Sequence, residues 1–208
     1  MRFAPLVGKS IGIITNQTGV TGDGQSDLTL FRETPDVRLR AIFTPEHGLA
    51  GTAPAGVSVA GGSKRGVPVH SLYGTGRAPK KRWLAGLDIL VYDIQDIGAR
   101  SYTYISTLGY CMAAAGRSHI PFVVLDRPDP AGAARVEGSP PAAGFRSFVG
   151  RYPVSYLYGM TPGELAKMIN AEGWAGARCN LTVVSMQGYP RSMQWADTGL
   201  RWIPTSPH

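Results

Sequence analysis

Hydrophobic and polar positions along the chain fall into short blocks with two different periods. Ser10-Ile11-Gly12-Ile13-Ile14-Thr15 is an apolar run of strand length, closed by the turn-prone Asn16-Gln17-Thr18-Gly19. A run that is apolar on both sides of the pleat predicts a strand buried on both faces. Val37 to Phe43 predicts a second strand, ending at Thr44-Pro45-Glu46-His47-Gly48, and Leu87 to Ile94 predicts another, bounded by Gly86 and Gly98. Ile120 to Leu125 and Leu181 to Val184 have the same character. Val67 to Gly74 reads as a short strand, with Pro68 pointing to an edge or a strand start. Helical segments alternate with these runs. Asp27 to Glu33 has Ser26 or Asp27 as N-cap and Pro35 behind it, and Lys80 to Ala85 is a shorter candidate. From Tyr102 to Ala115, the residues Tyr104, Leu108, Cys111, Met112 and Ala115 share one face, and Gly116 is the expected stop. Thr161-Pro162-Gly163-Glu164 places a capping Thr, a first-turn Pro and a Glu at the third position ahead of a helix to Ala171. Residues 49–66 and 131–160 show no period and read as loops.

Strands alternating with helices predict a doubly wound α/β domain with a mostly parallel sheet. The expected division is residues 1–160 as the core, and 161–208 as its last helix and strand plus the start of a connection onward. With 43% hydrophobic and only 17% charged residues, the composition is that of a globular chain and excludes wholesale disorder. The net charge of +7 is scattered. Its densest cluster, Lys80-Lys81-Arg82, lacks the interleaved aromatics that follow a nucleic-acid strand, so no nucleic-acid partner is expected. A solvated basic face is the better reading, and attraction to an acidic polymer such as a bacterial wall the weaker one. Cys111 and Cys179 make neither a disulfide framework nor a metal-ligand spacing, and Cys111 reads as core. No apolar run reaches 18 residues, so no membrane span is expected. The N-terminus has no apolar signal core, which implies a cytoplasmic protein or a signal segment that has been removed. Gly22-Asp23-Gly24 is the nearest approach to a dinucleotide fingerprint and lacks its third glycine, and there is no Walker loop. Neither a cofactor nor a metal is expected.

In a parallel sheet the carboxyl ends of all strands lie along one edge. Asn16, Glu46 and His47, Asp93 with Gln95 and Asp96, and Asp126 with Arg127 should therefore converge on one crevice. Glu46 sits between Pro45 and His47-Gly48. In a partly dry cleft its pKa could rise, making it a general acid; alternatively it pairs with Arg100 or Arg127 and holds loops together. His47 is a base, a donor to substrate or a loop hydrogen bond. Asp93 and Asp96, three apart on an extended segment, should face opposite sides, so one orients while the other acts; Asp93 as a helix cap is the structural alternative. Gln95 and Arg100 suit sugar hydroxyls, amides or a carboxylate. Tyr102 and Tyr104 either stack on a sugar or belong to the core. Asp126 and Arg127 either stiffen the strand end or touch ligand, and Glu137 is a spare carboxylate on the long loop.

Taken together, the ordered pieces resemble the exo-acting β-N-acetylmuramidases of the NamZ type, previously described as a bacterial domain of unknown function. They are Thr15-Asn16-Gln17-Thr18-Gly19, Phe43-Thr44-Pro45-Glu46-His47-Gly48, Ser71-Leu72-Tyr73-Gly74 and Asp93-Ile94-Gln95-Asp96-Ile97-Gly98 with Arg100-Ser101-Tyr102-Thr103-Tyr104. Leu125-Asp126-Arg127-Pro128-Asp129-Pro130, Val136-Glu137-Gly138, Ser147-Phe148-Val149-Gly150 and Tyr158-Gly159-Met160-Thr161-Pro162-Gly163-Glu164 continue the series. The resemblance implies a Rossmann-like domain, a smaller second α/β domain, and removal of terminal N-acetylmuramic acid from the non-reducing end of peptidoglycan fragments. It implies Glu46 as general acid, Asp93 or Asp96 as partner carboxylate or acetamido-orienting group, and an extracytoplasmic setting, periplasmic or secreted. Charge points to Arg100 or Arg127 as reader of the lactyl carboxylate. The chain stops at Trp202-Ile203-Pro204-Thr205-Ser206-Pro207-His208, where members of that family continue, so the expectation is that the smaller C-terminal α/β domain is missing. The alternatives are a non-catalytic wall-sugar binding module, an inactive fragment, or another hydrolase or transferase on the same scaffold.

Overall fold

A computed structural model describes residues 4–74 and 76–207. Its centre is a seven-stranded sheet in the order β3-β4-β2-β1-β5-β6-β9. The strands are β1 (Ser10–Thr15), β2 (Arg38–Thr44), β3 (Gly62–Lys64), β4 (Val67–Ser71), β5 (Ile89–Asp93), β6 (Phe122–Leu125) and β9 (Leu181–Val184); β7 (Val136–Glu137) and β8 (Leu157–Tyr158) pair separately. The helices are α1 (Asp27–Glu33), α2 (Lys81–Leu84), α3 (Tyr104–Arg117) and α4 (Pro162–Ala171). All neighbours in the large sheet run parallel except β3 against β4. Numbered in chain order, the parallel strands lie 3-2-1-4-5-6, the Rossmann arrangement, with its switch point between β1 and β5.

The apolar runs form strands because both faces are covered. On β1, Ile11 and Ile13 join Phe31 of α1 in one cluster, while Ile14 joins α3 on the other side; on β5, Ile89 and Val91 take the α1 side and Leu90 and Tyr92 the α3 side. Gly12 fits this tight layer because a Cβ there would lie 2.7 Å from Leu87 Cδ1. The same alternation sends Asp93 to the α1 side. The predicted face of α3 is buried throughout, Cys111 included. Ser26 caps α1, accepting from the Leu28 N–H at 3.2 Å. Thr161 and Glu164 form a reciprocal capping box on α4.

The structure departs from the sequence reading at a few places. Gly116 does not stop α3, which runs to Arg117 and ends at Ser118 and the left-handed His119 (φ 55°). A Cβ on Gly116 would meet the Arg178 carbonyl at 2.2 Å, so this glycine serves a close approach rather than a stop. Pro68 lies near a strand start as expected, yet β4 is not the edge; β3 covers it. The loops expected at 49–66 and 131–160 contain β3, β7 and β8, each too short to carry a period.

Candidate active site

Parallel pairing brings the strand ends together. Register sets Thr15 beside Asp93 and Ile14 beside Phe43, so the loops after β1, β2 and β5 leave the sheet side by side. The Thr18 hydroxyl accepts from the Gln95 N–H at 2.9 Å, and Thr18 itself donates to Asn16 Oδ1 from both its N–H and its hydroxyl.

Glu46 and His47 occupy a tight turn after β2. His47 has φ 70° and Gly48 φ 76°, a left-handed pair in which a non-glycine residue is uncommon. The turn is fixed reciprocally. His47 Nδ1 lies 2.7 Å from the Ala53 carbonyl, and the Ala53 N–H donates to the His47 carbonyl at 3.2 Å. A carbonyl only accepts, so Nδ1 is the donor in that contact. Glu46 is only 6% exposed. Its Oε1 accepts from the Gly56 N–H at 3.0 Å and its Oε2 from the Thr103 hydroxyl at 2.7 Å, with the Tyr73 phenol as a further donor. Burial alone would raise this carboxyl; the donors of Gly56, Thr103 and Tyr73, together with His47, carry it below its ordinary value instead. The raised pKa expected from a dry cleft is thus reversed, because three donors outweigh desolvation. Glu46 pairs with neither Arg100 nor Arg127.

Asp93 and Asp96 face opposite sides, as their spacing requires. Asp93 Oδ1 is 2.5 Å from Arg127 Nε, and Arg127 also donates to the Val20 carbonyl at 3.0 Å. Burial and the neighbouring Asp93 push Asp27 of α1 up to about 8, and the Thr15 hydroxyl donates to it. This cluster opens on a cavity of about 520 Å³ lined by Val20, Phe31, Asp93, Arg127, Tyr189 and Leu200. A second cavity of about 370 Å³ lies beside it, bordered by Thr18, Gln95, Trp195 and Arg201. Asp96 takes the α3 side, 2% exposed, and accepts from the Tyr158 phenol. Burial, with the charge of Asp129 adding to it, pushes Asp96 up to about 7; Asp129 itself rises to about 6. Asp93 is not a helix cap, since Thr103 holds that position on α3.

The remaining candidates separate into those at the site and those spent elsewhere. Tyr104 joins the two carboxylate corners, its phenol feeling Asp96, Tyr102, Asn16 and Glu46. Asn16 Nδ2 is buried there without a hydrogen bond of normal geometry. The Tyr104 hydroxyl donates to the Thr205 carbonyl, the Tyr102 hydroxyl lies 3.3 Å from Ser206 Oγ, and Gln17 donates to the Pro204 carbonyl at 2.8 Å. Residues 204–206 therefore strap across this edge. Gln95 spends its amide on the Asp96 and Pro128 carbonyls. Arg100 grips the Ser139 and Val154 carbonyls, both at 2.7 Å. Asp126 caps α4 through the Gly163 N–H and the Thr161 hydroxyl, both at 2.8 Å. Glu137 points to solvent, paired with Arg135. Four residues that sequence reasoning left out of the site belong to it: Thr103, Tyr73, Thr15 and Asp27. Tyr73 and Thr103 lay inside the quoted motifs, but no local pattern marked them as donors to a residue from another strand. Among the described residues no three of His, Cys, Asp or Glu gather to hold a metal ion, and no helix is long and apolar enough to cross a membrane.

Comparison with known proteins bears on this geometry. The family model described as exo-β-N-acetylmuramidase NamZ, N-terminal, matches residues 11–208. The chain belongs to the NamZ N-terminal family. It is 46% identical over 205 residues to the peptidoglycan β-N-acetylmuramidase NamZ of Bacillus subtilis (strain 168), covering 98% of this chain and 49% of that protein. Two crystal structures of DUF1343 family proteins from Bacteroides fragilis NCTC 9343 superpose closely. The first has a TM-score of 0.90 at 48% identity, covering 99% of this chain and 52% of the other. The second has a TM-score of 0.80 at 34% identity, covering 93% and 51%. The chain therefore spans about half the length of these relatives. Membership in the NamZ family fits a Rossmann-like sheet whose polar groups gather at the carboxyl edge.

Proposed function

We propose that this chain supplies the carboxylate centre of a glycosidase that releases terminal N-acetylmuramic acid from the non-reducing end of peptidoglycan fragments. The observation that carries this reading is Glu46, a nearly buried carboxylate at the sheet's ligand edge, ringed by Gly56, Thr103 and Tyr73 with His47 locked beside it. Family membership and the activity for which the Bacillus relative is named support it. With its pKa drawn down, Glu46 is ionised near neutral pH. That form suits the base that activates water, or the carboxylate that stabilises positive charge at the anomeric carbon. A proton-donor role requires one of its donors to leave it when the sugar binds. All of these groups fall within residues 1–160, which we assign as the core; residues 161–208 close the sheet and carry the strap. We further propose an extracytoplasmic setting, periplasmic or secreted, on the strength of the family resemblance.

A chromogenic β-glycoside of N-acetylmuramic acid, offered to this chain and to Glu46→Gln, tests the proposal. Turnover by the wild type, reduced about 10³-fold or more in the variant, is expected. Equal turnover by both would remove Glu46 from the chemistry. Binding without turnover would favour the second reading, a wall-sugar binding module, which the closed hydrogen-bond set of Glu46 also accommodates.

A further inference from the structure

The two arginines expected to read a substrate carboxylate are committed to the protein itself: Arg127 to Asp93 and the Val20 carbonyl, Arg100 to two backbone carbonyls. A different arginine is free. Arg77 lies half-buried in the loop after β4, its guanidinium carbon 3.7 Å over the Phe148 ring and 5.4 Å from the Tyr73 ring centroid. Its NH1 nitrogen is buried and has no hydrogen-bond partner, and Arg77 joins no ion pair among the described residues. A buried cationic nitrogen without an acceptor is costly. Aromatic faces offset part of that cost and hold the planar fork in one orientation. They leave NH1 at its edge without an acceptor, and the edge of a stacked guanidinium is the part that binds a carboxylate with two hydrogen bonds.

The position matters as much as the free donor. The Tyr73 phenol reaches Glu46, while its ring neighbours Arg77. One side chain thus separates the carboxylate centre from an unneutralised cation. Phe148, the other stacking face, half-buried in the loop following residue 139, also lies 5.9 Å from Tyr73. We propose that Arg77, stacked over Phe148 and flanked by Tyr73, is the anion subsite of the cleft and binds a carboxylate substituent of the sugar held at Glu46. On the reading given under Proposed function, on which this identification rests, that substituent is the lactyl group that distinguishes N-acetylmuramic acid from N-acetylglucosamine.

Calorimetric titration of the 208-residue chain with N-acetylmuramic acid, N-acetylglucosamine and D-lactate separates the two ideas. The wild type is expected to prefer the muramic sugar. Arg77→Gln should erase about tenfold of that preference, Arg77→Lys should retain more of it, and Phe148→Leu should show a smaller loss of the same sign. Thermal melts confirm that each variant is folded. Full preference in Arg77→Gln, or an equal loss for both sugars, overturns the subsite. If the wild type binds neither sugar, the muramidase reading fails, and lactate then decides for Arg77 alone. Saturable lactate binding that disappears in Arg77→Gln upholds the anion subsite, and absence of lactate binding to the wild type overturns it.

Discussion

Glu46 and Asp96 lie at the same edge of the same sheet, almost equally hidden from solvent, and their acidities move in opposite directions. Glu46 is 6% exposed and falls below the ordinary carboxylate range, while Asp96 is 2% exposed and rises to about 7. Burial opposes ionisation in both. Glu46 meets a backbone N–H and two hydroxyls spread over its two oxygens. Asp96 has one phenol on Oδ2, an Oδ1 without a partner of normal geometry, and a second acid, Asp129, close enough to repel its charge. More donors and a shallower site keep Glu46 charged, whereas deeper burial, fewer donors and a second acid hold the proton on Asp96. A third arrangement lies on the α1 side, where Asp93 takes the Arg127 guanidinium, while burial and the neighbouring Asp93 drive Asp27 up against the weaker pull of Arg127.

The largest effect should come from breaking that third arrangement. Arg127→Met leaves Asp93 buried without its cation and next to Asp27, and should cost about 3–5 kcal/mol in urea unfolding at neutral pH. A loss below 1 kcal/mol would mean the pair is held in water rather than in protein.

Asp96 offers a test with a defined sign. Its folded pKa lies above its unfolded value, so the native chain keeps a proton that the unfolded chain releases between about pH 4 and 7. The stability this group contributes is complete below about pH 4 and lost as pH rises through 7. Asp96→Asn should therefore flatten the stability profile in that window and gain on the wild type at pH 8 by on the order of 1–3 kcal/mol. Parallel curves for the two proteins from pH 4.5 to 8 would show that Asp96 does not hold the proton.

The smallest effect sharpens the Glu46 side. Thr103→Val removes one hydroxyl donor, so the Glu46 pKa should move back up, carrying the acidic limb of the kcat/KM profile with it by about one pH unit. A limb that stays in place would assign the low pKa to Gly56 and Tyr73 alone.

Sequence alone determined what is local. The bounds of α1, α4, β1 and β9 coincide with the apolar runs and their caps, because a capping Thr-Pro-Gly-Glu or a run apolar on both faces leaves the backbone few alternatives. The opposite aims of Asp93 and Asp96 also follow from the two-residue period of an extended chain, and the placing of Glu46 and His47 at the ligand edge follows from parallel strands. Tertiary structure decided the partners. Glu46 and Thr103 are 57 residues apart in the chain, and Asp93 and Arg127 are 34 apart. The crossovers and the strand register bring them together, and no period along the chain encodes those meetings. For the same reason the charge of Glu46, the commitment of Arg100 to carbonyls and the freedom of Arg77 were not legible in the sequence. Each depends on which neighbour reaches a given oxygen or nitrogen first.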